Sequence, residues 1–317
     1  MSETSNNTIK HWAFVFPGQG SQSVGMLANL AEETIVRHTF EEASDALDYD
    51  MAQLIASGPA ETLNQTDKTQ PALLAASTAL WRLWCDNAPQ PEQLAGHSLG
   101  EYSALVAAGV IPFVDAIKLV EKRGLFMQQA VPAGTGKMAA IIGLADELVS
   151  EACIKAQQNS VVSAVNFNSP GQVVIAGQAD AVERAMGLCK EKGAKRALPL
   201  PVSVPSHCAL MKPAALQLEN ELAKLNFAQP KIKVVNNVDV AVVSDESEIK
   251  DALIRQLYSP VRWTESITCL AANGVTDLAE CGPGAVLSGL CKRIDRTLSA
   301  HKLSSKDAFN QVVGAVC

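Results

Sequence analysis

No stretch of this sequence stays apolar long enough to cross a bilayer. Residues 104–114 come closest and are interrupted by Gly109 and Pro112, whereas a membrane helix needs about 20 predominantly apolar residues. Paired cysteines are missing as well. Cys85, Cys153, Cys189, Cys208, Cys269, Cys281, Cys291 and Cys317 stand apart, with no C-x-x-C spacing and no histidine cluster nearby. That excludes a disulfide framework and leaves no metal-ligand spacing, so reduced, mostly buried thiols are expected and no metal is. Positive charge is in short supply: 26 Lys and Arg face 33 Asp and Glu, a net charge of −7. Such a chain lacks the basic face that binding to nucleic acid through counterion release requires. Charged residues make up only 19% beside 48% hydrophobic ones, a balance that excludes disorder. Internal repeats and low-complexity segments are absent. Residues 1–7 are polar, without the apolar core of a signal peptide, so neither secretion nor an anchor is expected and a cytoplasmic location follows.

What is present is enough for one large core and a smaller appended domain, because 317 residues exceed the roughly 250–300 at which single cores stop growing. The apolar run at 12–16 reads as a buried strand, closed by Pro17-Gly18-Gln19-Gly20, with a helix to follow. Helical periodicity predicts helices over 32–47 and 71–84, with Pro59 and Pro71 punctuating them, then 101–110 and 113–129. After Pro132 the order changes to strand 138–142, helix 146–157, strands 161–165 and 173–176, helix 179–192 and strand 196–200. This β-α-β-β-α-β order is ferredoxin-like. It predicts a small domain over 132–203 inserted into a large α/β domain made of 1–131 and 204–317. A helix over 213–225, a strand at 234–235, a helix over 249–257 and a final strand-turn-helix through Gly282-Pro283-Gly284 complete the body, with Asp245-Glu246-Ser247-Glu248 read as a solvated turn.

The chemistry concentrates at Gly96-His97-Ser98-Leu99-Gly100, between a short apolar strand and an Ala-rich helix. This is the pattern of a nucleophile elbow, in which the serine stands on a tight turn and attacks carbonyl carbon. A plain small-residue turn has the same look. A nucleophilic serine needs a base and donors for the developing oxyanion. His11, His38 and His301 lie in polar contexts that read as surface, and His97 adjoins the serine with its side chain directed elsewhere. His207, in Pro205-Ser206-His207-Cys208 where the chain re-enters the large domain, fits the base. No carboxylate is singled out to orient it, which points to a neutral oxygen acceptor and to an undemanding reaction such as thioester acyl transfer.

Arg123 has Leu119, Val120, Phe126 and Met127 three and four residues away on the 113–129 helix, which turns its guanidinium inward. A buried cation needs a partner. A protein carboxylate, a helix end or a carboxylate on the substrate would each serve.

Taken together, Pro17-Gly18-Gln19-Gly20-Ser21-Gln22, Gly96-His97-Ser98-Leu99-Gly100-Glu101-Tyr102, Asn166-Phe167-Asn168-Ser169-Pro170-Gly171-Gln172, Pro205-Ser206-His207-Cys208 and Gln256-Leu257-Tyr258-Ser259-Pro260 resemble the bacterial malonyl-CoA:acyl carrier protein transacylase family. The likeness runs over residues 14–296 with the motifs in the family's order. It implies an α/β fold, an α/β-hydrolase-like body with an inserted ferredoxin-like small domain. By the same resemblance Ser98 is the malonylated nucleophile, His207 its base and the Gln256 main-chain carbonyl the oxygen that orients the imidazole. Backbone N–H groups of Gln19 and Leu99 form the oxyanion hole, and Arg123 clamps the malonyl carboxylate. Asn166 and Asn168 either reach the pantetheine arm or the base loop, or cap an Asx turn before Pro170. Lys195, Arg196, Lys292 and Arg293 resemble positions facing the acidic acyl carrier protein. Malonyl-CoA is a substrate and no cofactor is implied. The same elbow also serves polyketide acyltransferases, serine thioesterases and esterases.

Overall fold

The computed structural model of the chain describes residues 11–132, 134–202 and 204–317. The expectation resting on residues 1–7 lies outside them. Strand β1 (Trp12–Phe16) is buried along its whole length. The loop after it contains a 3₁₀ turn at Ala28–Leu30 where a full helix was expected. Helices α1 (Thr34–Leu47), α2 (Met51–Ser57), α3 (Ala60–Leu63) and α4 (Thr66–Asn87) follow. Pro71 does not punctuate here: it lies inside α4, one turn from its start, where a proline gives up a single backbone bond. Strand β2 (Gln93–Gly96) leads to α5 (Gly100–Ala107) and α6 (Phe113–Ala130). Helix α5 stops short of the expected 110 because Gly109 turns left-handed at φ 74° and Val110 N–H bonds back to the Leu105 carbonyl at 2.9 Å.

Next come β3 (Gly136–Ile142), α7 (Asp146–Gln157), β4 (Val162–Ser169), β5 (Gln172–Gln178), α8 (Ala179–Glu191) and β6 (Arg196–Pro199). The chain then runs through α9 (Lys212–Leu222), β7 (Lys233–Val235), α10 (Glu246–Gln256), α11 (Trp263–Ala272), β8 (Asp277–Glu280), α12 (Val286–Ile294), β9 (Ser299–Lys302) and α13 (Lys306–Val316). The expected solvated turn at 245–248 is the start of α10. Asp245 caps it, accepting from the Ser247 and Glu248 N–H groups.

Two sheets result. The first has order β7-β2-β1-β8-β9 with every neighbour parallel. Alternate residues face opposite layers, as the pleat dictates: Phe14, Phe16 and Leu94 enter one apolar cluster, and Ala13, Val15, Ala95 and Leu278 the other. The fold is thus α/β, a parallel sheet covered by helices. The second sheet has order β4-β5-β3-β6, all antiparallel, with α7 and α8 closing an apolar core of its own. The sheets touch through β4 and the start of α11: Asn166 bridges to Val261, and Phe167 N–H donates to the Val261 carbonyl at 3.0 Å. No helix among the described residues is long and apolar enough to cross a membrane. The eight cysteines are free, five of them buried.

Candidate active site

Gly96 ends β2 and Gly100 opens α5, and neither position admits a side chain. A Cβ on Gly96 would stand 1.9 Å from the Gly100 carbonyl carbon, and one on Gly100 would stand 2.0 Å from the Phe16 oxygen. Between them Ser98 adopts φ 53°, a left-handed conformation that costs a non-glycine residue on the order of 1–3 kcal/mol. Asn237, just after β7, holds the strained turn: its Oδ1 accepts the Ser98 N–H at 2.7 Å and its Nδ2 donates to the Gly96 carbonyl at 2.7 Å. His97 turns away and donates from Nε2 to Asn168 Oδ1 at 2.8 Å.

His207, brought in by the loop after β6, lies 2.8 Å from Ser98 Oγ through Nε2 and donates from Nδ1 to the Gln256 main-chain carbonyl at 2.7 Å. That second bond fixes the tautomer, leaving Nε2 as the acceptor of the serine proton. His207 is itself left-handed, φ 63°, and its N–H bonds the Leu257 carbonyl, so both its backbone and its ring are pinned to the end of α10. Burial, and next the positive charge of Arg123, hold the imidazole down to about 3. It is neutral across the physiological range, as a base must be before it acts.

Arg123 is 1% exposed. Its Nη1 donates to Gln70 Oε1 of α4 at 2.8 Å, and its Nη2 to Gln256 Oε1 at 3.0 Å and to Ser98 Oγ at 3.4 Å. Its guanidinium carbon lies 5.3 Å from the centre of the Tyr102 ring. All these partners are neutral. Among the described residues no carboxylate lies within 4.0 Å of it, because none of the ion pairs includes it, and its Nε has no hydrogen-bond partner. Arginine stays protonated in proteins, so the site holds a buried positive charge that no acid among the described residues pairs with directly. Gly124 permits this placement: a Cβ there would be 2.6 Å from Asp67 Cα and 2.6 Å from the Thr66 oxygen, so α6 rests directly on the backbone of α4.

Glu101, 3% exposed, is the acid behind this group. Its Oε2 accepts from the Asn237 N–H and from Gln256 Nε2, both at 2.9 Å. Burial pushes its carboxyl up to about 7, with Asn237, Gln256 and Arg123 pulling the other way. The backbone N–H groups of Gln19 and Leu99 find no acceptor among the described residues; Leu99 follows the serine, and Gln19 lies in the loop after β1, where a Cβ on Gly18 would stand 2.5 Å from the His97 carbonyl oxygen. A cleft of about 350 Å³ opens beside Gln19, lined also by Thr66, Gln128, Val131 and Val204. No group of three or more His, Cys, Asp or Glu among the described residues is placed to hold a metal.

The fold therefore brings Ser98, His207, Gln256 and Arg123 together, with Leu99 next to the serine and the loop that carries Gln19 against His97. Asn166 and Asn168 are placed by β4. Asn166 is buried in β4 beside Val261, and Asn168, at a break in the β4–β5 register, supports His97 instead of capping an Asx turn. Lys195, Arg196, Lys292 and Arg293 are exposed, and none of them bonds to the residues around the serine. Arg196 shares a row with Ile142 and Gln172 across β6, β3 and β5, and Arg293 donates to Gln172 Oε1 at 2.7 Å, so strand spacing places these two arginines on one end of the antiparallel sheet. Sequence reasoning missed Asn237, Gln70, the Glu101 carboxylate and the Gln256 side chain. The signal available for Asn237 was a pair of asparagines directly after an apolar strand.

A family model of the acyl transferase domain matches residues 13–308. The malonyl CoA-acyl carrier protein transacylase of Haemophilus influenzae is 62% identical over 307 residues, 96% of this chain and 98% of that one. Among solved structures, an acyl carrier protein S-malonyltransferase from Vibrio cholerae superposes with a TM-score of 0.94 at 64% identity, covering 96% of this chain and all of that one, 100%. A malonyl-transacylase solved in complex with a type II PKS acyl-carrier protein superposes at 0.96 with 56% identity, covering 96% of this chain and 100% of its own.

Proposed function

The chain belongs to the acyl transferase family, and from its near-full-length likeness to malonyl CoA-acyl carrier protein transacylases we propose that it moves the malonyl group from malonyl-CoA to the pantetheine thiol of acyl carrier protein. This supplies extender units for fatty acid synthesis. The observation that carries the reading is a serine hydrogen-bonded to a neutral, oriented histidine beside a buried guanidinium that pairs with no acid among the described residues.

In the first half-reaction Ser98 Oγ bonds to the thioester carbon as its proton passes to His207 Nε2. The carbonyl oxygen becomes an oxyanion between the N–H groups of Gln19 and Leu99; loss of one such donor typically costs on the order of 10²–10³ in rate. Collapse breaks the C–S bond, and CoA leaves as thiol with the proton from His207. In the second half His207 takes the proton of the pantetheine thiol, the sulfur attacks the malonyl-serine ester, and Ser98 recovers its proton as it departs. A thiol is a good leaving group, so a carbonyl oxygen suffices to orient the histidine where amide cleavage calls for a buried carboxylate. Arg123 meets the malonyl carboxylate with a two-pronged set of donors. Hence the acyl group, not the CoA, is what the dry end of the site selects.

The body made of 1–131 and 204–317 is hydrolase-like on this reading, and 132–203 is a ferredoxin-like small domain. Lys195, Arg196, Lys292 and Arg293 face the acidic carrier, the 350 Å³ cleft admits the pantetheine arm, no cofactor takes part, and the protein works in the cytoplasm. Incubation with malonyl-CoA and intact-mass analysis tests the whole scheme. A malonyl adduct that Ser98→Ala abolishes, and that a carrier thiol discharges, is expected. Release of free malonate in place of malonyl-pantetheine would make the protein a hydrolase.

A further inference from the structure

Glu101 takes no part in the transfer chemistry, yet it is buried against the residues that do. Gln256 explains why. Its Nε2 carries two protons, one given to Glu101 Oε2 at 2.9 Å and the other to the Ser98 carbonyl at 3.1 Å, which leaves Oε1 to accept from Arg123 Nη2 at 3.0 Å. The two ends of an amide are almost the same shape. What decides which end faces a cation is the acceptor on the far side. Rotated by half a turn, the amide would set donors against the donors of Arg123 and bury them unpaired. Glu101 is itself held by the Asn237 N–H at 2.9 Å.

We propose that Glu101 is a positioning residue for selection of the carboxyl-bearing acyl group: by holding Gln256 with its amide oxygen toward Arg123, it keeps the guanidinium aimed into the acyl pocket. The proposal rests on the reading of Arg123 as the partner of the malonyl carboxylate. Arg123 on α6, Gln256 on α10 and Asp239 after β7 are the charged and polar side chains that act on Glu101, with burial favouring its protonated form. Either form presents an oxygen that can accept. The device therefore depends on reach and not on charge.

The test compares single-turnover loading of Ser98 from malonyl-CoA and from acetyl-CoA, read by intact mass. Glu101→Leu is expected to lower the malonyl-to-acetyl ratio roughly tenfold to a hundredfold. Glu101→Gln, which keeps an acceptor at the same reach, should restore the ratio to within about threefold of the parent. Glu101→Asp keeps the charge but withdraws the oxygen, so it should lower the ratio as well, and it serves if the leucine variant does not fold. Combined with Gln256→Leu, Glu101→Leu should lower the ratio no further than Gln256→Leu alone, since both act through one amide. Equal loss with both thioesters, an unchanged ratio in Glu101→Asp, a glutamine variant as impaired as the leucine one, or additive losses would each overturn the proposal. Parent protein that takes no malonyl group at all would instead overturn the transacylase reading on which it stands.

Discussion

The parallel and the antiparallel sheet touch through β4 and α11, but they treat polar side chains in opposite ways. Beyond the ends of β1 and β2 the body buries Arg123, His207, Gln256, Glu101 and Asn237 almost completely, each tied to another by hydrogen bonds. The core of the antiparallel sheet under α7 and α8 is built of apolar side chains, Asn166 and Ser169 of β4 being its buried polar ones, and the neighbouring Lys195 and Arg196 stand in solvent. Buried, prearranged dipoles act strongly on a reacting centre because water does not compete with them. Exposed charges act weakly at contact but steer encounter over a Debye length. On the proposed function, one region serves chemistry on a small acyl group and the other meets a large charged partner.

That division can be broken most severely at Arg123. Arg123→Ala should lower malonyl loading by roughly 10²–10³-fold and abolish the preference over acetyl-CoA, and Arg123→Lys should also be damaging, since a point charge replaces a planar fork. Persistence of that preference in a single-turnover competition would refute the clamp. Next in size, the double charge reversal Lys195→Glu with Arg196→Glu should raise the apparent KM for carrier protein about tenfold at low salt while loading from malonyl-CoA stays unchanged. If both half-reactions fall together, the antiparallel sheet shares in the chemistry and the division fails.

A third, smaller effect sharpens the electrostatic side of the body. His207 is held down to about 3, so it contributes stability that is present above its unfolded value, about 6.5, and is lost as pH falls toward 3. Glu101 is held up to about 7, so its contribution is present below its unfolded value, about 4.3, and is lost as pH rises through 7. Between those unfolded values the two slopes oppose each other. Glu101→Gln should unmask the histidine: its melting midpoint rises from pH 4.5 to 6.5 by a few degrees, on the order expected for 1–2 kcal/mol, and stays level from 7 to 8 where the parent declines. Parallel melting curves for parent and variant would contradict both assignments. Smallest of all, Ser98→Gly should melt slightly higher than Ser98→Ala, by about 1 kcal/mol at most in equivalent stability, because φ 53° suits glycine.

Much of this was legible in the chain. The six-element order of the antiparallel sheet shows through because Gly and Pro bracket short runs whose periodicity is clear, and the motifs point to Ser98 and His207, which the fold sets 2.8 Å apart. Strand β9 is not legible: Ser-Ala-His-Lys carries no apolar pattern and pairs only as an edge strand beside β8. Pro71 misleads because it stands one turn inside a helix that packing sustains. Asn237 and Gln70 are separated from Ser98 and Arg123 by 139 and 53 residues. No local period encodes a partnership over such distances, and only the closed fold supplies it. The bond between Asn168 and His97 is not legible either, because it depends on the break in the β4–β5 register.

The contact at Gly124 has a further effect. Because α6 rests on the main chain of α4, the point from which the Arg123 side chain reaches to within 3.4 Å of Ser98 Oγ is set by packed backbone. On the proposed function, the length of diacid that fits is therefore set from outside the pocket, by a hydrogen atom in place of a methyl group. Gly124→Ala would recalibrate it without touching a single group that meets the substrate.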